Sequence, residues 1–170
     1  LYTDILKSKS EGHNLEWEKE WSKSLSHQVD AYLSEYSLNY KFSNQSNTGI
    51  STNTKDNLIK DFGLNLNIKY DLAEHKQINF GYQFSNKKFN YSFKNTTPTE
   101  SALLDNANDT NNSNSIYIEY LINKPKDHLY TIGLRANKYS NSQKLYVEPR
   151  AVLQKFVIPE FSISASIEYK

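Results

Sequence analysis

The stretch Asn57-Leu58-Ile59-Lys60-Asp61-Phe62-Gly63-Leu64-Asn65-Leu66-Asn67-Ile68-Lys69-Tyr70 decides the fold. Its even positions carry Leu58, Phe62, Leu64, Leu66, Ile68 and Tyr70, with Lys60 the exception. Its odd positions carry Asn57, Asp61, Gly63, Asn65, Asn67 and Lys69, with Ile59 the exception. A period of two sends the two sets to opposite faces of a strand. The pattern returns at Ile78, Phe80, Tyr82 and Phe84, at Ile116, Ile118, Tyr120 and Ile122, and at Tyr130, Ile132, Leu134 and Ala136. It returns again at Val147, Pro149, Ala151 and Leu153, then at Phe161, Ile163, Ala165, Ile167 and Tyr169. Upstream, Leu15, Trp17 and Trp21 oppose Glu16, Glu18 and Glu20. Helical spacing fits none of these stretches, so the chain reads as all-β.

Composition narrows the class. The 170 residues carry 20 Lys+Arg against 19 Asp+Glu, a balance that excludes the basic footprint of a nucleic-acid binder. There is no cysteine, hence no disulfide framework, and no apolar run approaches the ~18 residues of a membrane helix. A mean hydropathy of −0.76 would suit a disordered chain, but aromatic residues at 14% do not. Such a mixture needs a structure that separates polar from aromatic residues. The opening Leu1-Tyr2-Thr3-Asp4 has neither initiator Met nor an apolar leader, and reads as the start of a fragment or processed product.

The links between stripes alternate in kind. Short ones are expected at Ser22–Ser26, Asp71–Lys76, Asn123–Asp127 and Phe156–Glu160. On the other side, Asn44–Lys55 and Asn95–Asn114 read as long polar loops and Ser140–Gln143 as a short turn. Short turns on one side and longer loops on the other are the plan of an outer-membrane barrel, which places the long loops outside the cell. Two stripes also change phase on the long-loop side, Leu25-Val29-Ala31-Leu33 giving way to Leu38-Tyr40-Phe42 and Phe84 to Phe89-Tyr91-Phe93. A strand crosses lipid in about 9–11 residues, and a bulge beyond that point would reset its facing. On this reading Leu64, Leu66, Ile68, Phe80, Tyr82, Ile118, Ile132 and Ile163 face lipid, and the polar ladders line a lumen. Tyrosines and tryptophans near strand ends fit the lipid–water boundary, with a stacking platform open for the loop-side tyrosines.

Catalytic motifs are absent. His13, His27, His75 and His128 are scattered, and Asp105-Asn106-Ala107-Asn108-Asp109-Thr110 lacks the glycine and closing glutamate of a calcium loop. The sequence calls for no metal and no cofactor. The Asn95–Asn114 loop is the expected ligand contact, through Thr97, Thr99, Asp105, Asn108 and Asp109.

Leu145-Tyr146-Val147-Glu148-Pro149-Arg150-Ala151-Val152-Leu153 resembles the Glu-Pro-Arg strand in the barrels of TonB-dependent outer-membrane receptors. Tyr130-Thr131-Ile132-Gly133-Leu134-Arg135-Ala136-Asn137 before it, with Leu58 to Phe84, looks like barrel strands of that family in Bacteroidota. The resemblance implies an antiparallel up-and-down transmembrane β-barrel segment, with about eight strands from the middle of a plugged barrel of about 22. It also implies uptake of a scarce nutrient (a ferric siderophore, haem, cobalamin or a glycan) at the outer membrane of a Gram-negative bacterium. The implied partners are the protein's own plug domain, TonB acting through that plug, outer-membrane lipid and a small nutrient ligand. A complete small barrel of porin or enzyme type and a soluble adhesion or sugar-binding module stay open as alternatives. Strand direction favours a fragment, since the strand ending near Tyr169 would stop outside the cell.

The chain has only two arginines, Arg135 and Arg150. A symmetric turn at Ser140–Gln143 sets Arg135 opposite Glu148 and Arg150 opposite Gly133, while Ile122 opposite Tyr130 sets Glu119 opposite the same glycine. Two acids and two arginines are thus expected to converge on the lumen side. They would serve either as an ion network stiffening three strands or, as the resemblance suggests, as a seat for the plug through Glu148 and Arg150.

Overall fold

The computed structural model describes residues 1–125, 127–158 and 161–168. Tyr169, Lys126 of the Asn123–Asp127 link, and Pro159 and Glu160 of the Phe156–Glu160 link lie outside the described residues. Eight strands form: β1 (Tyr2–Ser22), β2 (Leu25–Ser46), β3 (Gly49–Ala73), β4 (Lys76–Thr96), β5 (Ser101–Lys124), β6 (His128–Tyr139), β7 (Leu145–Ile158) and β8 (Phe161–Glu168). They make one up-and-down sheet whose spatial order is the chain order, so β1 and β8 stand at its two ends.

Packing divides the chain into two units. The first comprises Leu1–Asn14, Tyr32–Phe62 and Asn86–Asn111. The second comprises Leu15–Ala31, Gly63–Ser85 and Asn112–Lys170.

In the second unit the alternation is realised residue by residue. β5 pairs with β6 through Ile118↔Leu134, Glu119↔Gly133 and Ile122↔Tyr130. β6 pairs with β7 through Leu134↔Pro149, Arg135↔Glu148 and Gly133↔Arg150, the register that the Ser140–Gln143 turn dictates. β7 pairs with β8 through Ala151↔Ile167 and Leu153↔Ala165, and the register shifts between Phe156 and Ile158. Apolar residues therefore meet apolar ones across four strands, and polar ones meet polar on the reverse face. Nothing among the described residues covers this apolar side: Ile132 is 66% exposed and Ile163 60%. Among the described residues no hydrophobic side chain is buried, whereas Ser115 and Asn137 are, together with Gly63 and Gly81. The enclosed positions among the described residues lie on the polar face.

In the first unit the strands run on where loops were expected. Asn44–Lys55 reduces to a two-residue turn at Asn47-Thr48, and Asn95–Asn114 reduces to Thr97–Glu100. Asp105, Asn108 and Asp109 consequently lie on β5 rather than in a loop. Ser, Asn and Thr on both faces leave no period of two to read, yet the backbone ladder needs none. The phase change has a different cause from the expected bulge as well. Asp71 N donates to Ser24 O, and Glu35–Lys60, Asn39–Asp56 and Ser43–Thr52 pair further along at 2.9, 2.5 and 3.1 Å. These four pairs share one register, so β2 and β3 gain no residue against each other. Strict alternation continues, and the apolar stripe of β2 passes from one face to the other. Lys87–Asp61 at 3.6 Å, Lys55 over the Phe93 ring at 5.2 Å and Asn95 Nδ2 to Asn53 Oδ1 at 2.7 Å share one register in the upper parts of β3 and β4.

Candidate functional site on the polar face

In the second unit three long side chains each reach across a neighbouring strand to the next one beyond, and each crosses at a small residue. Tyr117 of β5 passes over Gly81 of β4, and its hydroxyl donates to Asn67 Oδ1 on β3. A Cβ at Gly81 would fall inside the Tyr117 ring. Arg150 of β7 passes Gly133 of β6 and pairs with Glu119 of β5. A Cβ at Gly133 would sit 3.0 Å from Glu119 Cγ and 3.1 Å from Ile118 O. Arg135 of β6 reaches Gln83 Oε1 on β4 at 2.5 Å, past Ser115 of β5. Its Nε donates to Asn137 Oδ1 at 2.9 Å, and Ser115 Oγ donates to the same oxygen at 2.5 Å. Strands are about 4.8 Å apart, so a two-strand reach needs close to 10 Å, which Tyr and Arg can cover. Glycine and serine provide the gap. Arg150 also stands 5.9 Å from the Tyr117 ring centroid, which links two of the three reaches.

The register brings Glu119, Arg135, Glu148 and Arg150 to neighbouring positions on three strands, and the side chains then choose their partners. Arg135 and Glu148 are in register, but Arg135 makes its hydrogen bonds to Gln83 and Asn137. The ion pair joins Arg150 to Glu119 instead. Tyr117, Asn67, Gln83, Ser115 and Asn137 belong to the network and were not singled out from the sequence. The available signals were an aromatic in the polar stripe between Ile116 and Ile118, and Gly81 in the polar stripe of β4.

In the first unit the odd positions of β4 carry Phe89, Tyr91 and Phe93, facing Ile59, Asn57 and Lys55 of β3 in the register of the Lys87–Asp61 pair. Alternation along β2 puts Leu38, Tyr40 and Phe42 on the side of Gln28, and Tyr2 stacks on Phe42 with centroids 6.0 Å apart. The register places Asn57 between Leu38 and Tyr91, and its Oδ1 is buried without a hydrogen-bond partner. The Thr97–Glu100 turn is closed by Thr97 Oγ1, which donates to Glu100 O at 3.2 Å and lies 3.5 Å from Thr99 Oγ1. Among the described residues no group of three His, Asp or Glu side chains is placed to hold a metal ion.

The same strand arrangement is found in known structures. The siderophore receptor PiuA from Acinetobacter baumannii superposes with a TM-score of 0.68 at 14% identity, over 96% of this chain and 32% of that one. The chain has the fold of a segment of β-barrel wall. The wall also matches BauA, the ferric preacinetobactin receptor from Acinetobacter baumannii (TM-score 0.66, 13% identity, 96% of this chain and 30% of that one). The RagAB peptide importer matches at a TM-score of 0.59 and 9% identity, over 89% of the wall and 20% of that chain. The wall thus spans a third or less of the length of these structures. No protein-family model matches its sequence, and no curated protein does.

Proposed function

We propose that this chain is part of the barrel of a TonB-dependent outer-membrane transporter that imports a scarce nutrient, a carrier rather than an enzyme. The inverted burial carries the reading. A soluble sheet hides its apolar face, whereas this one exposes it across β5 to β8 and encloses Ser115 and Asn137 on the other. The likeness to siderophore receptors and a peptide importer supports nutrient uptake as the task. Ferric siderophores head the substrates, followed by peptides, haem, cobalamin and glycans. The strand motifs favour a Bacteroidota-like source.

On this reading the Arg150–Glu119 pair, with Glu148 beside it, faces the plug domain, and TonB acts on the wall only through that plug. The ligand would meet Tyr91, Phe93 and Tyr40 of the first unit, with Thr97, Thr99, Asp105, Asn108 and Asp109 as polar contacts. Uptake of a labelled ferric siderophore by cells carrying the whole protein, with and without a working TonB, tests this. Uptake that needs both is expected, and TonB-independent permeation to small solutes would make the protein a porin. Recovery of the protein in the soluble fraction without detergent would overturn the membrane assignment.

A further inference from the structure

At the β1–β2 turn the apolar face ends in a cluster unlike the rest of it. Odd positions of β1 put Trp17, Lys19 and Trp21 on the side of His27, while Gln28 Nε2 donates to Glu16 Oε1 (2.8 Å) on the reverse side. Trp21 Nε1 donates to His27 Nδ1 at 2.6 Å. The Trp17 ring meets the imidazole edge-on at 4.5 Å, and the Trp21 ring lies within 29° of parallel to it at 5.6 Å. With Nδ1 accepting, a neutral imidazole carries its proton on Nε2. Among the described residues nothing accepts from that nitrogen. Lys19 Nζ stands 4.1 Å over the Trp21 ring, and among the described residues no carboxylate pairs with it. Alternation sends the adjacent Glu18 and Glu20 to the reverse face. Beside the cluster lies a surface hollow of about 340 Å³, floored by Val29, Leu66 and Ile68 and rimmed by Trp17, Trp21 and His27.

An ammonium without a carboxylate partner thus stands over the Trp21 ring, and an unused N–H donor belongs to the His27 ring, two of the rings that rim the apolar slot. That combination matches a molecule with an anionic head and a hydrocarbon tail. A plain aromatic girdle would need neither the cation nor the free donor. We infer that the cluster binds a membrane glycerophospholipid, its phosphodiester held by the Lys19 ammonium and His27 Nε2–H and one acyl chain lying along Val29, Leu66 and Ile68. The inference rests on the reading of this face as lipid-facing.

The protein in maltoside micelles, which contain no phosphate, provides the test. Brominated-chain phosphatidylglycerol and brominated-chain diacylglycerol are titrated in turn, and tryptophan quenching is read as the difference from a Trp17→Phe/Trp21→Phe variant. The phospholipid is expected to quench at an about tenfold lower mole fraction, the equivalent of one charge-assisted hydrogen bond. The Lys19→Gln/His27→Gln variant should lose that preference, and Lys19→Arg should keep it, each with unchanged strand content by circular dichroism. Equal quenching by both lipids, or a preference that survives the double substitution, overturns the phosphate site and leaves the lipid-facing reading intact. Absence of quenching by either lipid overturns the reading of the face itself. If the double variant does not fold, the comparison of the two lipids on the unsubstituted protein decides alone.

Discussion

Small residues on the polar face are as informative as the charged ones. Gly81 and Gly133 lie under Tyr117 and the Arg150–Glu119 pair, so each is small because a partner lies over it, and Ser115 shares the Asn137 acceptor with Arg135. Gly81→Ala should therefore cost about 1–3 kcal/mol by forcing the Tyr117 ring off its seat. In a Tyr117→Ala background the same substitution should be nearly neutral. A double-mutant cycle from urea unfolding in micelles checks this, and additive costs would show that the ring does not lie over Gly81. The opposite face obeys another rule. Ile132→Lys replaces a 66% exposed apolar side chain by a charge in the apolar band and should cost about 2–4 kcal/mol if that band is lipid-covered. Its neighbour Thr131→Lys, on the polar side, should stay within about 0.5 kcal/mol. Equal costs at the two positions would mean that both faces see water.

Among the elements, the turn between β5 and β6 is tied to the end of β7. The Asp127 carboxylate accepts from Lys155, from His128 Nδ1 at 3.1 Å and from Lys124 Nζ at 3.3 Å, and Phe156 N donates to Asp127 O at 2.9 Å. Those donors, Lys155 first and then His128 and Lys124, hold the Asp127 carboxyl well below the usual carboxylate range. A carboxyl lowered on folding stabilises at pH values above its unfolded pKa of about 3.9, and that gain fades as the pH falls through the folded value. The difference in urea midpoint between the native protein and Asp127→Asn should be constant from about pH 5 to 8 and shrink below about pH 4. A difference that grows toward acid would contradict this assignment of the turn. The Ser140–Gln143 turn could be read in advance, because its four residues and the need to match apolar faces leave one register, with Leu134 against Pro149. The tall hairpins of the first unit could not. Asp105, Asn108 and Asp109 carry polar groups on a strand whose faces show no period of two, and only the ladder with its neighbours keeps them extended.

For the molecule as a whole, β1 and β8 are the exposed ends of the strand order, and all 21 residues of β1 are exposed. Unpaired strand edges and an uncovered apolar face both drive association in water. The chain on its own should self-associate in aqueous buffer and become a small, β-rich species in detergent, as sedimentation velocity with circular dichroism would show. A stable monomer without detergent would favour the soluble-module alternative. In the second unit the sequence by itself determined which side chains share a face and the Arg135↔Glu148 register, since a period of two and a short turn are local and leave no freedom. The tertiary structure decided which partners those side chains choose. Arg135 passes over its register neighbour for Gln83 two strands away, and Arg150 takes Glu119, because the gaps at Ser115 and Gly133 exist only once three strands lie side by side. It also decided that the stripe of β2 crosses from one face to the other without a bulge. Facing along a strand is fixed by backbone alternation, whereas where lipid gives way to water is a property of the assembled sheet.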